Sequence, residues 1–85
     1  MQRRYAIVLE PESEGGFSVS IPALPEAHTQ GETVEEAIQN AREVAFAVVT
    51  DRRAHGEAVP PSDADDVRLE RITVAVPSPP DLSGA

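Results

Sequence analysis

Between Gly15 and Asn40 the hydrophobic period switches from two residues to 3.6, and glycines, prolines and a capping residue mark each change. Gly15-Gly16 opens a segment in which Phe17, Val19 and Ile21 alternate with Ser18 and Ser20. That spacing places the three apolar side chains on one face of a sheet. Pro22 and Pro25 end the strand, because neither can donate to a ladder. After Thr29-Gln30-Gly31 the chain reaches Thr33-Val34-Glu35-Glu36. There Thr33 Oγ1 can accept from the N–H of Glu36, and the Glu36 carboxylate can reach back to the N–H of Thr33. Strand, break, second extended segment and capped helix are thus written into one continuous stretch.

The flanks follow from the same periodicities. Tyr5 to Leu9 reads as a strand with Tyr5, Ile7 and Leu9 on one face and Ala6 and Val8 on the other. Two apolar faces predict a strand inside the sheet rather than at its edge. Glu10 to Gly16 is a turn short enough for an antiparallel hairpin. Leu24, between the two prolines, reads as a core plug, and Glu26 to Gly31 as a short third strand. Val34, Ala37, Ile38, Ala41, Ala45, Val48 and Val49 form a helical stripe, predicting a helix from about Val34 to about Ala54. Glu35 and Glu36 in the first turn, and Arg52 and Arg53 in the last, suit the helix dipole; Gly56 reads as the residue that closes the helix. His55 to Asp66 reads as an acidic loop. Val67 to Val76 reads as a last strand, with Ile72, Val74 and Val76 on one face and Leu69, Arg71 and Thr73 on the other. Pro77 to Ala85 has no periodicity and reads as a mobile or extended tail. The fold class is α+β: a β-β-β-α-β order, one long helix packed on a largely antiparallel sheet in two layers.

Eighty-five residues make one small domain, whose core is marginal enough that a partner or oligomerisation is a natural supplement. No long apolar run or charged-then-apolar leader is visible, so neither a membrane span nor a signal peptide is expected; a soluble cytoplasmic domain is. Fifteen acidic residues against seven basic ones give a formal charge of −8, and every basic residue is arginine. Such a surface repels phosphate backbones and favours a basic protein partner. On charge alone, the partner-binding candidates are the hairpin acids Glu10, Glu12 and Glu14 and the loop acids Asp63, Asp65 and Asp66. Phe46 falls off the helical stripe, on a flank shared with Arg42 and Arg53, and is the candidate oligomer contact.

Catalytic constellations are not apparent. There is no cysteine, and Ser18 and Ser20 lie in mid-strand without the sharp turn that exposes a nucleophile. The acids on regular elements, Glu35, Glu36, Glu43 and Glu70, diverge rather than converge on a metal. His28 and His55 alone make a poor metal site. Gly15-Gly16 precedes a strand, not the helix a phosphate loop needs. No enzyme activity, metal or cofactor is expected.

Several stretches together resemble a known family. Gly15-Gly16-Phe17, Val19, Ile21-Pro22, Leu24-Pro25, Thr29-Gln30-Gly31-Glu32-Thr33, Glu35-Glu36-Ala37 and Asn40 are similar to the N-terminal domain of HicB-type antitoxins. Tyr5 to Leu9 looks like that family's first strand, Val59-Pro60 like its motif after the helix, and Ile72 to Val76 like its last strand. The resemblance implies a partial ribonuclease H-like fold without the nuclease carboxylates, over residues 1–76, followed by the Pro-rich tail. It further implies binding to a small basic HicA-type toxin, an mRNA-cleaving domain, and occlusion of its active site. An alternative is a stand-alone HicB-like domain that has lost its toxin and serves as a homo-oligomeric binding protein, a dimer or tetramer. Many HicB proteins continue into a DNA-binding domain where this chain has its Pro-rich tail, so the resemblance does not extend to operon repression. Glu26-Ala27 stands where relatives often have Gly-Cys, so nothing that depends on that thiol carries over. The matching residues look mainly structural: glycines and prolines shape turns, and Thr33 and Glu36 cap the helix.

Overall fold

The computed structural model describes residues 2–78. Its strands β1 (Val8–Pro11), β2 (Phe17–Ser20) and β3 (His28–Gly31) form one antiparallel sheet in the order β1-β2-β3, followed by a single helix, α1 (Val34–Ala54). The α+β class and the long helix are as the periodicities predict. Two expectations need correction. Residues 67–76 form no strand: Ile72, Val74 and Val76 are 85%, 67% and 84% exposed. In consequence β1 lies at an edge of the sheet, not inside it, and Val8 on its outer face is exposed. A strand-like sequence is not yet a strand; its hydrogen bonds need a neighbouring edge, and here the chain leads the segment away from the body. The chain's radius of gyration is 18.5 Å, with extents of 67 × 28 × 24 Å. A compact domain of this length would have a radius near ~12 Å. Residues 77 and 78 continue without regular structure, and the rest of the predicted tail, 79–85, lies outside the described residues.

The first hairpin is closed by a three-residue loop. Gly15 N–H donates to Glu12 O and Glu12 N–H to Gly16 O, both at 3.0 Å, with Gly15 at φ 99°. That is a turn followed by a left-handed glycine bulge. Register runs from Pro11 opposite Phe17 to Val8 opposite Ser20. Since Glu12 is hydrogen-bonded to Gly16, the alternation turns the main-chain groups of Leu9 and Pro11 outward. Pro11 therefore sits where its missing N–H costs no ladder bond.

The two prolines of the Ile21–Ala27 segment perform the same operation twice. Leu24 N–H donates to Ile21 O, and Ala27 N–H to Leu24 O, each at 2.8 Å. Pro22 and Pro25 are thus at the second position of consecutive β-turns, where their fixed φ is pre-set. Between them Leu24 is driven into the core at 0% exposure, joined by Val19, Ile21, Ala27, Ala37 and Ala41. Burying a leucine side chain this fully stabilises by about 2 kcal/mol.

Helix α1 starts where Thr33 Oγ1 accepts from Glu36 N–H at 3.1 Å. It ends in a Schellman motif: Glu57 N–H donates to Arg52 O and Gly56 N–H to Arg53 O, with Gly56 at φ 69°. Its buried face is narrower than the predicted stripe, for only Ala37 and Ala41 are fully enclosed. Val34 is exposed and Ile38 half-buried, while Val44, Ala45, Val48 and Val49 pack against the core rim. Alanines allow the helix to lie close on β3, where Asn40 Nδ2 donates to Gln30 O at 2.7 Å.

Candidate functional site

Three surfaces stand out: an apolar groove beside the edge strand, an acidic end at the hairpin turn, and an acidic loop after α1. The groove, of about 940 Å³, runs between α1 and the segment preceding β1. Tyr5, Ile7, Ile21, Ile38, Phe46 and Val49 supply its apolar lining, and Arg42 and Arg53 belong to its wall. Positions 42, 46, 49 and 53 recur at i, i+4, i+7 and i+11, so a second helical stripe faces the groove as the first faces the core. Phe46 is 75% exposed there.

The other wall is the N-terminal segment, pinned by the loop after α1. Tyr5 Oη donates to Pro60 O at 2.6 Å, and Arg3 donates to Val59 O and Pro60 O. Arg4 N–H donates to Ser62 Oγ, Asp63 N–H returns a bond to Arg4 O, and Ala6 N–H donates to Asp63 Oδ1 at 2.8 Å. Val59-Pro60 thus works through its carbonyls, which hold the chain start against the body.

The six acids picked out by charge fall into two groups, one at the hairpin turn and one in the loop after α1. Glu10, Glu12 and Glu14 are exposed around the hairpin turn. The strand register places Phe17 opposite Gly31, which brings the start of α1 beside this turn. Glu12, Glu32 and Glu36 therefore line one shallow concavity with Gly16 and Asn40. Glu32 was not a candidate on sequence, and Glu36 only as a cap; hairpin register is the signal that would have placed both at the acidic end. Ala6, where Asp63 is anchored, is six residues before Glu12, about 20 Å of extended chain at ~3.3 Å per residue. Asp63 is occupied in pinning Ala6 and Arg4, Asp65 lies 3.8 Å from Arg4, and Asp66 is exposed. The two clusters do not form one surface.

Three ionisable groups, Glu26, Arg52 and His55, have shifted affinities for protons. Arg52 Nε and Nη2 donate to the two carboxylate oxygens of Glu26 at 2.9 and 2.7 Å, a bidentate clamp between the second β-turn and the end of α1. The hydrogen bonds from Arg52 hold the Glu26 carboxyl below its ordinary value. At the helix end, His55 Nδ1 lies 2.8 Å from the main-chain oxygen of Asp51 and 3.3 Å from its carboxylate. The bond to the backbone oxygen, then the nearby negative charge, raise the His55 pKa. His28 is exposed on β3. Among the described residues, no group of three His, Asp or Glu side chains could hold a metal ion, and no helix is long and apolar enough to cross a membrane.

The chain is a two-layer α+β scaffold that displays charged and apolar surfaces, with Thr33 capping the helix, Tyr5 and Asp63 pinning the chain start, and Arg52 clamping Glu26. The family follows from comparison with known proteins. Residues 5–78 match the HicB-like antitoxin of bacterial toxin–antitoxin systems, and the chain belongs to that family. It is 31% identical over 66 residues to a UPF0150 protein of Thermoplasma acidophilum, an alignment spanning 78% of this chain and 96% of that one. It is 58% identical over 38 residues to antitoxin HicB 1 of Photorhabdus laumondii, and 52% over 40 residues to antitoxin HicB of Escherichia coli. These two alignments cover 45% and 47% of this chain but only 24% and 29% of those antitoxins.

Proposed function

We propose that this protein is an antitoxin that binds a small, basic HicA-type RNA-cleaving toxin and neutralises it by covering the active site. The observation that carries the reading is the acidic end, where Glu12, Glu32 and Glu36 share a concavity beside Glu10 and Glu14. A ribonuclease must hold RNA phosphates with a cationic surface, and a rigid acidic cover competes for the same surface. The formal charge of −8 steers such an encounter and opposes direct binding to nucleic acid. The loop acids Asp65 and Asp66 supply a second, separate contact region. The role is non-catalytic and cytoplasmic, without cofactor or metal. Mixing the protein with the product of a small basic reading frame adjacent to its gene tests this reading. The pair should co-elute on gel filtration at low salt; separate elution would refute it for that pair.

A second reading is a stand-alone homo-oligomeric binding domain. The exposed Phe46 beside an open apolar groove favours it. It requires a stable oligomer of the free protein and no toxin gene nearby.

A further inference from the structure

The helix covers one face of the sheet and leaves the other open. Leu9, Phe17 and Val19 belong to the core cluster, so strand alternation turns Val8 and Glu10, Ser18 and Ser20, and His28 and Gln30 to the opposite face. Register sets them in two cross-strand rows, Val8–Ser20–His28 and Glu10–Ser18–Gln30. The short, half-buried serines lie on the middle strand, between longer and exposed side chains on the outer two, so the face is a shallow trough. Its flanking strands stand two strand spacings apart, about 10 Å, the width of one helix. Among the described residues, none of the Ser18, Ser20, His28 and Gln30 side chains hydrogen-bonds another residue. The arginines are sorted by side as well. Arg3, Arg4, Arg42 and Arg53 line the groove next to α1, Arg52 clamps Glu26, and Arg68 and Arg71 follow the 59–63 loop. None of the seven is on a strand, and the chain has no lysine. The open face therefore carries no arginine, and through Glu10 it runs into the acidic end.

We infer that the open sheet face is the bed on which the toxin rests: the acidic end takes its cations, and an element about one helix wide lies in the trough over Ser18 and Ser20. This rests on the antitoxin reading above and adds to it the docking surface and the residues that set specificity. A basic protein is the occupant because the groove side meets it with like charge, whereas the open face offers Glu10 and no cation. A stable interface takes about 20 residues from each partner, more than a turn and a helix start supply, and the open face is continuous with both. The serine hydroxyls and the Gln30 amide each donate and accept, so they read the partner's polar groups where the acids read only its charge.

The test is a titration of the isotope-labelled full chain with the unlabelled product of the adjacent basic reading frame, followed by amide NMR. The signals of Ser18, Ser20, His28 and Gln30 should shift or broaden, and those of Phe46 and Arg53 should not. Ser20→Arg and Gln30→Arg each put a cation in the trough and should weaken binding by roughly tenfold or more in isothermal titration. Ala47→Arg, the same change of charge at an exposed position of α1, should leave affinity unchanged. Circular dichroism checks that each variant folds, and the wild-type shift map needs no variant. Both trough variants binding as well as Ala47→Arg, or a shift map confined to α1 and the groove, would overturn the inference and leave the antitoxin role standing. Absence of binding by the wild type would remove both.

Discussion

Gly31 lies so close to Ala37 that a Cβ added to it would stand 2.4 Å from the Ala37 nitrogen and 2.6 Å from its Cα. Main chain is the obstacle, so no side-chain rotation can relieve it. β3 and α1 touch here through a missing side chain, and the contact fixes the distance between sheet and helix. It also sets the start of α1 beside the hairpin turn.

Gly31→Ala should therefore force the two layers apart. Overpacking of this kind costs about 3 kcal/mol, which in a domain this small lowers the melting temperature by more than roughly 10 °C. Thermal denaturation followed by circular dichroism reads the effect. A change of only a degree or two would mean that the layers are not held at this spacing.

Leu24→Ala removes the most deeply enclosed large side chain while leaving both β-turns intact. A loss of about 3 kcal/mol is expected from chemical denaturation, from lost burial and the cavity left behind. Pro22→Ala, which keeps the core but frees the turn, should cost far less, about 1 kcal/mol or below.

Glu26 and His55 give opposite pH dependences. The carboxyl of Glu26 is held below its ordinary value of 4.5, so its contribution is present above that value and is lost as pH falls through the lowered folded value. His55 has its pKa raised above 6.5, so its contribution is full below 6.5 and is lost as pH rises through the raised folded value. Melting curves should show Glu26→Gln flattening the acid limb and His55→Gln flattening the neutral-to-alkaline limb. Exchanged or absent effects would contradict the clamp and the helix-end bond.

Charge reversal separates the two acidic regions. Replacing Glu12, Glu14 and Glu32 by lysine should weaken toxin binding by roughly tenfold or more at low salt and flatten its salt dependence. Reversing Asp65 and Asp66 should do less. Asp63→Lys should instead lower stability, because its carboxylate holds the Ala6 N–H. Isothermal titration at two salt concentrations distinguishes these results, and unchanged affinity in both reversals would remove charge as the basis of recognition.

Local physics made most of the scaffold legible in sequence. Alternation at Phe17, Val19 and Ile21, the two prolines flanking Leu24, the Thr33 cap and Gly56 each act within a few residues, and each lies where its chemistry predicts. What escaped was long-range. The strand pattern at Ile72, Val74 and Val76 states what the segment can do but not which edge it meets, so its placement could not be derived from alternation. In the same way, the two apolar faces of the β1 region suit an interior strand without naming the neighbour that would make it one. Glu32 and Glu36 became part of the acidic end only through the pairing of Phe17 with Gly31, a contact between distant positions. Asp63 looked like one more loop acid, although its carboxylate and N–H are used in binding the chain start.

Inhibition of toxin activity tests the proposed antitoxin role most directly. Cleavage of a defined mRNA by the adjacent basic gene product should be measured while this protein is titrated in. Cleavage should fall to zero at a fixed stoichiometric ratio, and the Glu12, Glu14 and Glu32 reversal should leave the RNA unprotected at the same ratio. Undiminished cleavage at saturating wild-type protein would contradict the role assigned to this chain.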